Sequence, residues 1–113
     1  MKSINIQELL KKAEAGDEDA QYSLGIMAEA GNADAQFYVG AMYDSVRDYK
    51  RAVEWYTKAA NKGNAKAQFN LGDSYEQGLG VVQDYKKAVE WYTKSANQES
   101  SEAQNSLALE SVA

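Results

Sequence analysis

Three kinds of residue in this chain could take part in chemistry. The first is the acidic run Asp17, Glu18 and Asp19, which could serve acid–base catalysis or Ca²⁺ binding. The run lacks the spaced ligand set and the bidentate Glu of a calcium loop, so we interpret it as the first turn of a helix. The second is the segment GLGVVQ at 78–83, which begins like a phosphate-binding glycine loop. It lacks the third Gly and follows a predicted helix, so we expect a structural turn.

The third kind is aromatic. Trp55, Tyr56, Trp91 and Tyr92 could stack on bases or sugars, but their helical spacing beside Ala favours core packing. The chain contains no His and no Cys, which excludes Cys/His zinc sites, Ser-His-Asp triads, His general bases and disulfides. We therefore expect no catalytic residue, no metal site and no cofactor. An enzyme would need a deep pocket holding carboxylates with shifted pKa values.

Length and charge narrow the class of partner. A chain of 113 residues with 44% hydrophobic and 26% charged residues is typical of one globular domain. Its net charge of −5 is unfavourable for binding phosphates, so we expect no nucleic acid and no membrane partner, but a basic or mixed protein surface. The sequence has neither a secretory signal pattern nor an apolar run of membrane-spanning length, from which we expect a cytoplasmic protein.

Two nearly identical segments point to an internal repeat. DYKRAVEWYTKAANKG occupies 48–63 and DYKKAVEWYTKSANQE occupies 84–99. The dipeptide Ala-Gln begins at positions 20, 35, 67 and 103, with spacings of 15, 32 and 36. The last spacing is too long for one helix and suits a helix–turn–helix pair with its loops. The two similar segments would then be the second helices of successive hairpins.

The hairpin that spans the 36-residue interval can be traced in more detail. Its first half, AQFNLGDSYEQ, places Ala67, Leu71 and Tyr75 on one helical face. Two glycines in the following loop end this helix. The second half has an apolar stripe that includes Ala88, and Asp84 stands before it as a helix N-cap. These features predict two antiparallel helices joined by a glycine loop.

These residues resemble the Sel-one-like repeat, a relative of the tetratricopeptide repeat. The family pattern runs approximately A-x-x-x-L-G-x-x-Y, then G-x-G-V, then D-x-x-x-A-x-x-W-Y-x-x-A-A-x-x-G, and it matches about residues 13–108. The resemblance implies an all-α fold, a short right-handed α-solenoid of antiparallel helix pairs with about seven helices. It also implies a non-catalytic scaffold for protein–protein contacts. The residues that we assign to packing between repeats are Leu24, Gly25, Gly40, Tyr43, Ala52, Trp55, Tyr56, Leu71, Gly72, Tyr75, Ala88, Trp91 and Tyr92.

We divide this single repeat domain, 1–113, into five parts. They are an N-terminal cap helix at 1–16, a truncated repeat at 17–31, a repeat with a short loop at 32–63, a full repeat at 64–99 and a C-terminal cap helix at 100–113. The truncated repeat begins like a first helix and ends like a second helix. We therefore predict one short helix at 17–30 where other repeats have two.

A concave face follows by analogy with tetratricopeptide proteins, in which the first helix of each hairpin lines the inner surface. Counting from the Leu or Val of the pattern places Tyr22, Phe37, Phe69 and Asn105 at its centre. The flanking residues would be Asp19, Asp34, Ala41, Asp44, Lys66, Asp73, Glu76 and Gln77. This aromatic line with acidic edges predicts a groove for a protein segment that carries apolar anchors and Lys or Arg. The two Phe residues could equally be packing residues between repeats.

The leading functional interpretation is thus an adaptor that binds another protein or peptide, as a monomer or a weak homodimer. Two alternatives remain open. One is a small acidic immunity or antitoxin-like protein that blocks a basic toxin electrostatically. The other is a structural protein that self-associates through Leu107, Leu109 and Val112.

Overall fold

The structure, a computed structural model, describes residues 5–98. This part of the chain forms six helices, α1 (Ile6–Glu14), α2 (Glu18–Glu29), α3 (Ala33–Ser45), α4 (Tyr49–Asn61), α5 (Ala65–Gln77) and α6 (Tyr85–Ala96). The predicted cap helix at 100–113 lies outside the described residues, and so do Asn105 and the three apolar residues considered for self-association.

Every helix begins at a short polar side chain that caps it. In each case an Asn or Asp oxygen accepts a hydrogen bond from the backbone N–H three residues later, at 2.8 to 3.3 Å. The caps are Asn5, Asp17, Asn32, Asp48, Asn64 and Asp84. Asp17 thus starts α2, and Glu18 and Asp19 lie in its first turn, where acidic groups favour the helix dipole. The acidic run is accounted for by helix initiation.

The Ala-Gln dipeptides mark three junctions of one kind. At each, the Gln side chain donates a hydrogen bond at 3.0 to 3.1 Å to the carbonyl oxygen of an Ala eight residues earlier, Gln21 to Ala13, Gln36 to Ala28 and Gln68 to Ala60. The Gly of each turn has a φ between 95° and 106°, which a residue with a side chain rarely adopts. The side chain of Gln therefore holds the end of one helix against the start of the next.

The helices are stacked in chain order, with α3 closest to α4 and α5 closest to α6. Two apolar clusters form the core. One lies around Leu24 and Ala28 with contributions from α1 and α3, and the other lies around Tyr56 and Leu71 between α3, α4, α5 and α6. The all-α solenoid of antiparallel helix pairs predicted from the repeat is confirmed.

The two complete hairpins close through a glycine that faces a tyrosine. A Cβ atom on Gly40 would lie 2.6 Å from Tyr56 Cδ1, and one on Gly72 would lie 2.8 Å from Tyr92 Cδ1. Because real Cβ atoms do not approach aromatic carbons this closely, only glycine lets the second helix come so near the first. Gly25 of α2 differs, since nothing lies within 4 Å of its Cβ position.

The other residues assigned to repeat packing fall into two groups. Leu24, Ala52, Leu71 and Ala88 are buried. Four larger aromatic residues are half-buried against the two clusters, namely Tyr43, Trp55, Tyr75 and Trp91. Their indole and phenol rings close the sides of the core, and Lys58 and Lys94 cover the outer faces of the two tryptophans.

The region from 17 to 31 contains one helix. α2 is joined to α1 at its start and to α3 at its end by the same Gln-to-Ala junction. In its contact with α1, α2 therefore occupies the position of the first helix of a hairpin. In its contact with α3, it occupies the position of the second helix of a hairpin.

Candidate partner-binding groove

A groove of about 790 Å³ runs along one side of the stack, between α1, α3 and the start of α5. We call it the α1/α3/α5 groove. Its lining comes mainly from α1 and α3, with Gln21 of α2 at one wall. The residues are Gln7, Leu10, Ala13, Glu14, Gln21, Asp34, Phe37, Tyr38, Ala41, Met42, Ser45, Val46, Asn64, Ala65 and Lys66.

The floor of this groove is apolar and partly exposed. Phe37 is half-buried, with its ring centroid 5.8 Å from that of Tyr56, so it belongs both to the groove and to the packing of the hairpin. At the C-terminal end of α3, the exposed fraction is 41% for Met42 and 72% for Val46. Apolar side chains that remain accessible along a groove are the usual anchoring points for a bound segment.

The charges around the floor are few and mixed. Asp34 accepts a hydrogen bond from Asn64 Nδ2 at 2.9 Å, and Lys66 lies in the first turn of α5. Glu14 contributes a second carboxylate at the end of α1. Burial, together with the charge of Glu14, raises the pKa of Tyr38, although a hydrogen bond with Gln21 acts in the opposite direction. Tyr38 therefore stays a neutral hydroxyl in the groove wall.

Three of the predicted partner-binding residues lie elsewhere, in a smaller recess. Asp44, Asp73 and Gln77 line a space of about 200 Å³ next to Tyr56. The Tyr56 hydroxyl donates to Asp44 at 3.0 Å, and the hydroxyl of Tyr92 donates to Asp73 at 2.8 Å. These two carboxylates thus hold the second helix of each hairpin against the first. A substitution at Asp73 would test packing as well as binding.

The remaining predicted residues are spread over the surface. Phe69 packs on Tyr92, with 5.3 Å between ring centroids. Glu76 is half-buried, and its backbone carbonyl accepts a hydrogen bond from Gln83. Asp19 and Tyr22 are exposed on α2 and line neither the groove nor the recess. The structure therefore brings together Asp34, Phe37 and Lys66 with the flanking Ala41.

Sequence reasoning missed the contribution of α1 and of the end of α3. Gln7, Leu10 and Glu14 follow one another at i, i+3 and i+7, which places them on one helical face. That spacing could have indicated a lining face, had α1 been treated as a wall of the groove and not as a terminal cap. Met42 and Val46 gave no comparable signal, because they lie outside the repeat pattern.

Within residues 5–98, no helix is long and apolar enough to cross a lipid bilayer. The same part of the chain holds no group of three His, Cys, Asp or Glu side chains placed to bind a metal ion.

Stacked antiparallel helix pairs with a lateral groove define an α-helical repeat protein. The sequence profile of the Sel1 repeat matches residues 33–64 and 65–100, and the chain belongs to the Sel1 repeat family. The two matches coincide with the hairpins α3–α4 and α5–α6. Proteins of this family are in general modules for protein–protein interaction.

Solved structures support the same assignment. A Sel1 repeat protein from Oxalobacter formigenes is 36% identical, with a TM-score of 0.81 over 90% of this chain and 44% of that chain. The protective antigen c5321 of uropathogenic Escherichia coli, which displays an SLR fold, is also 36% identical, with a TM-score of 0.67 over 88% of this chain and 27% of that chain. The chain thus spans less than half the length of either relative.

A third structure shares the fold alone. Helicobacter pylori cysteine rich protein B has 21% identity and a TM-score of 0.75, over 88% of this chain and 90% of that chain. No curated protein sequence matches the chain.

Proposed function

We propose that this protein is a non-catalytic adaptor that binds a segment of a partner protein in the α1/α3/α5 groove. The observation that carries the proposal is the run of accessible apolar side chains along the groove, from Phe37 to Met42 and Val46. Phe37 and Met42 lie on α3 and Val46 is its C-cap residue, so one helix and its end position all three. A segment laid along α3 would meet them in succession.

The size and chemistry of the groove suit a short peptide segment. Its volume of about 790 Å³ is in the range of pockets that enclose several side chains. Its charged residues are the carboxylates of Glu14 and Asp34 and the ammonium group of Lys66. Because carboxylates are in excess here and in the whole chain, the favoured partner combines apolar anchors with Lys or Arg.

The proposal can be tested without knowing the natural partner. A random peptide library is selected on the full chain, and the affinity of the strongest peptides is measured by titration calorimetry. The test variant is Val46→Glu, which places a charge on the groove floor at an exposed position. The matched control is Val82→Glu, which makes the same change at a residue that is 88% exposed and lines neither cavity.

We expect the selected peptides to be rich in apolar and basic residues. Their affinity should fall at least about tenfold for Val46→Glu, because a carboxylate would be buried against an apolar anchor. The control should bind as the wild type does. Equal affinity for all three proteins would refute binding at this groove.

A further inference from the structure

Three helices of this chain carry the same pattern of aromatic, glycine and acidic positions, but only two of them are covered. On α3 the glycine position meets the Tyr56 ring, and on α5 it meets the Tyr92 ring. The equivalent position on α2 is Gly25, where no atom of the described structure comes within 4 Å of a Cβ. On this side α2 therefore resembles a first helix, and within residues 5–98 no second helix packs against it.

The vacant face is defined by Tyr22, Gly25, Ile26 and Glu29, which follow one another at i, i+3, i+4 and i+7. We call it the α2 face. Tyr22 is 75% exposed, whereas Phe37 at the same position of α3 is half-buried under Tyr56. Ile26 is 53% exposed. Two large apolar side chains thus flank a glycine on an open helical surface.

A glycine at this position weakens α2 and has no offsetting contact within residues 5–98. In the interior of a helix, glycine costs more conformational entropy than alanine. On α3 and α5 the loss is offset, because the absence of a Cβ allows a buried tyrosine to pack. On α2 the entropy cost of Gly25 could be offset in the same way only if a helix from outside the described structure packed against it.

The charge of α2 indicates which kind of helix can supply that contact. Glu18, Asp19 and Glu29 are all exposed, and α2 has no Lys or Arg. Two copies of this face would bring like charges together, which disfavours a second copy of the chain as the occupant. The segment 99–113 is also unsuitable, because it contains three Glu, no basic residue and no aromatic residue.

We propose that the α2 face is a docking site for a basic amphipathic helix of a partner protein, one that carries Ala and Tyr four residues apart. The covered hairpins show how such a helix binds, since Ala52 and Tyr56 or Ala88 and Tyr92 have this spacing. The tyrosine ring lies over Gly25 beside Tyr22. Its hydroxyl reaches Glu29, which occupies the position that Asp44 has on α3 when it accepts the Tyr56 hydroxyl. Lys and Arg on the partner helix neutralise Glu18 and Asp19.

The probe for this site is the segment that covers α3, supplied as a separate peptide. DYKRAVEWYTKAANKG has 16 residues, four of them basic and two acidic. A hydrocarbon staple on its solvent face keeps it helical, since helices of this length are marginal in water. The stapled peptide is titrated into the full chain, and binding is followed by calorimetry and by amide chemical shifts.

Two single substitutions in α2 separate docking from helix stability. Gly25→Ala raises helix propensity but places a Cβ where the incoming tyrosine ring must lie. Ser23→Ala also raises helix propensity, but Ser23 is not one of the four residues that define the α2 face. A third comparison uses a peptide in which the residue equivalent to Tyr56 is Ala. Circular dichroism checks that all protein variants remain folded.

We expect chemical shift changes confined to α2, and an affinity at least about tenfold lower for Gly25→Ala and for the alanine peptide. The affinity for Ser23→Ala should equal that of the wild type. Absence of binding, equal affinity for Gly25→Ala, or shifts centred on Met42 and Val46 would overturn the proposal. A dimer of the full chain in sedimentation that Gly25→Ala dissociates would also overturn it, by assigning the α2 face to a second copy.

Discussion

Replacing the equivalent glycines by alanine should change stability in opposite directions on neighbouring helices. Gly25 and Gly40 occupy the same position of the repeat pattern in α2 and α3. Around Gly25 there is open space, whereas Gly40 is buried against Tyr56 and the carbonyl oxygen of Ala52. The same substitution therefore tests how the hairpins pack and why α2 differs.

The magnitudes follow from two competing effects. In a helix interior, Ala is favoured over Gly by about 1 kcal/mol, so Gly25→Ala should stabilise the fold by about that amount. At Gly40 the new Cβ would lie 2.6 Å from Tyr56 Cδ1 and 3.3 Å from the Ala52 oxygen. Overpacking of this kind costs about 1–3 kcal/mol, more than the gain in propensity. We therefore expect Gly40→Ala to destabilise the protein by up to about 2 kcal/mol.

The assay is urea unfolding followed by far-ultraviolet circular dichroism, with thermal unfolding as a second measure. For a domain of this size, about 1 kcal/mol corresponds to roughly 4–8 °C in Tm. Gly72→Ala is the internal control, because a Cβ there would lie 2.8 Å from Tyr92 and it should behave like Gly40→Ala. A Gly40→Ala variant as stable as Gly25→Ala would refute the packing argument.

Two further predictions concern the tyrosine hydroxyls. Tyr92→Phe removes the donor to Asp73 and should lower the free energy of unfolding by about 1 kcal/mol in the same urea assay; an unchanged midpoint would contradict a stabilising role for this hydrogen bond. Burial, reinforced by the charge of Asp44, raises the pKa of Tyr56 above its ordinary value of 10.0, and burial also raises that of Tyr38. Because the pKa of Tyr56 is higher in the folded state, its neutral hydroxyl contributes stability that is fully present below about pH 10 and is lost as the pH rises further. The decline in the free energy of unfolding from about pH 9 to about pH 11 should therefore be shallower in Tyr56→Phe than in the wild type. Parallel declines would show that Tyr56 is not responsible.

Much of the fold could be predicted from local sequence because the repeat is written in short-range signals. Asp84 caps α6 as its position before the apolar stripe predicts, and Gly78 ends α5 with a φ of 71°. The packing of Gly72 against the second helix also follows from the pattern, since glycine at the centre of an apolar stripe indicates a close helix approach. Capping and close packing depend on neighbours a few residues away or on the next helix.

The groove could be predicted only in part. Asp34, Phe37 and Lys66 line it, but Asp44 and Asp73 turn towards tyrosines of their own hairpins. Asp44 comes four residues after Gly40, and Asp73 directly follows Gly72. From the sequence, an acidic residue at either position is compatible with a solvent-facing edge or with a hydroxyl partner. The choice depends on where the second helix places its tyrosine, and that is a property of the packed hairpin.

By itself, the sequence determined the repeat, the helix ends, the hairpins and the absence of His and Cys chemistry, because each of these depends on residue type and spacing along the chain. Tertiary structure decided which faces remain open. α1 lies beside α3 and becomes a wall of the groove. Within residues 5–98, Tyr22 and Gly25 remain uncovered, because the helix that follows α2 does not pack on this side of it. The exposure of a side chain depends on which helices are its neighbours in space. Where one helix of a pair is absent, those neighbours change, although the sequence pattern of the remaining helix stays the same.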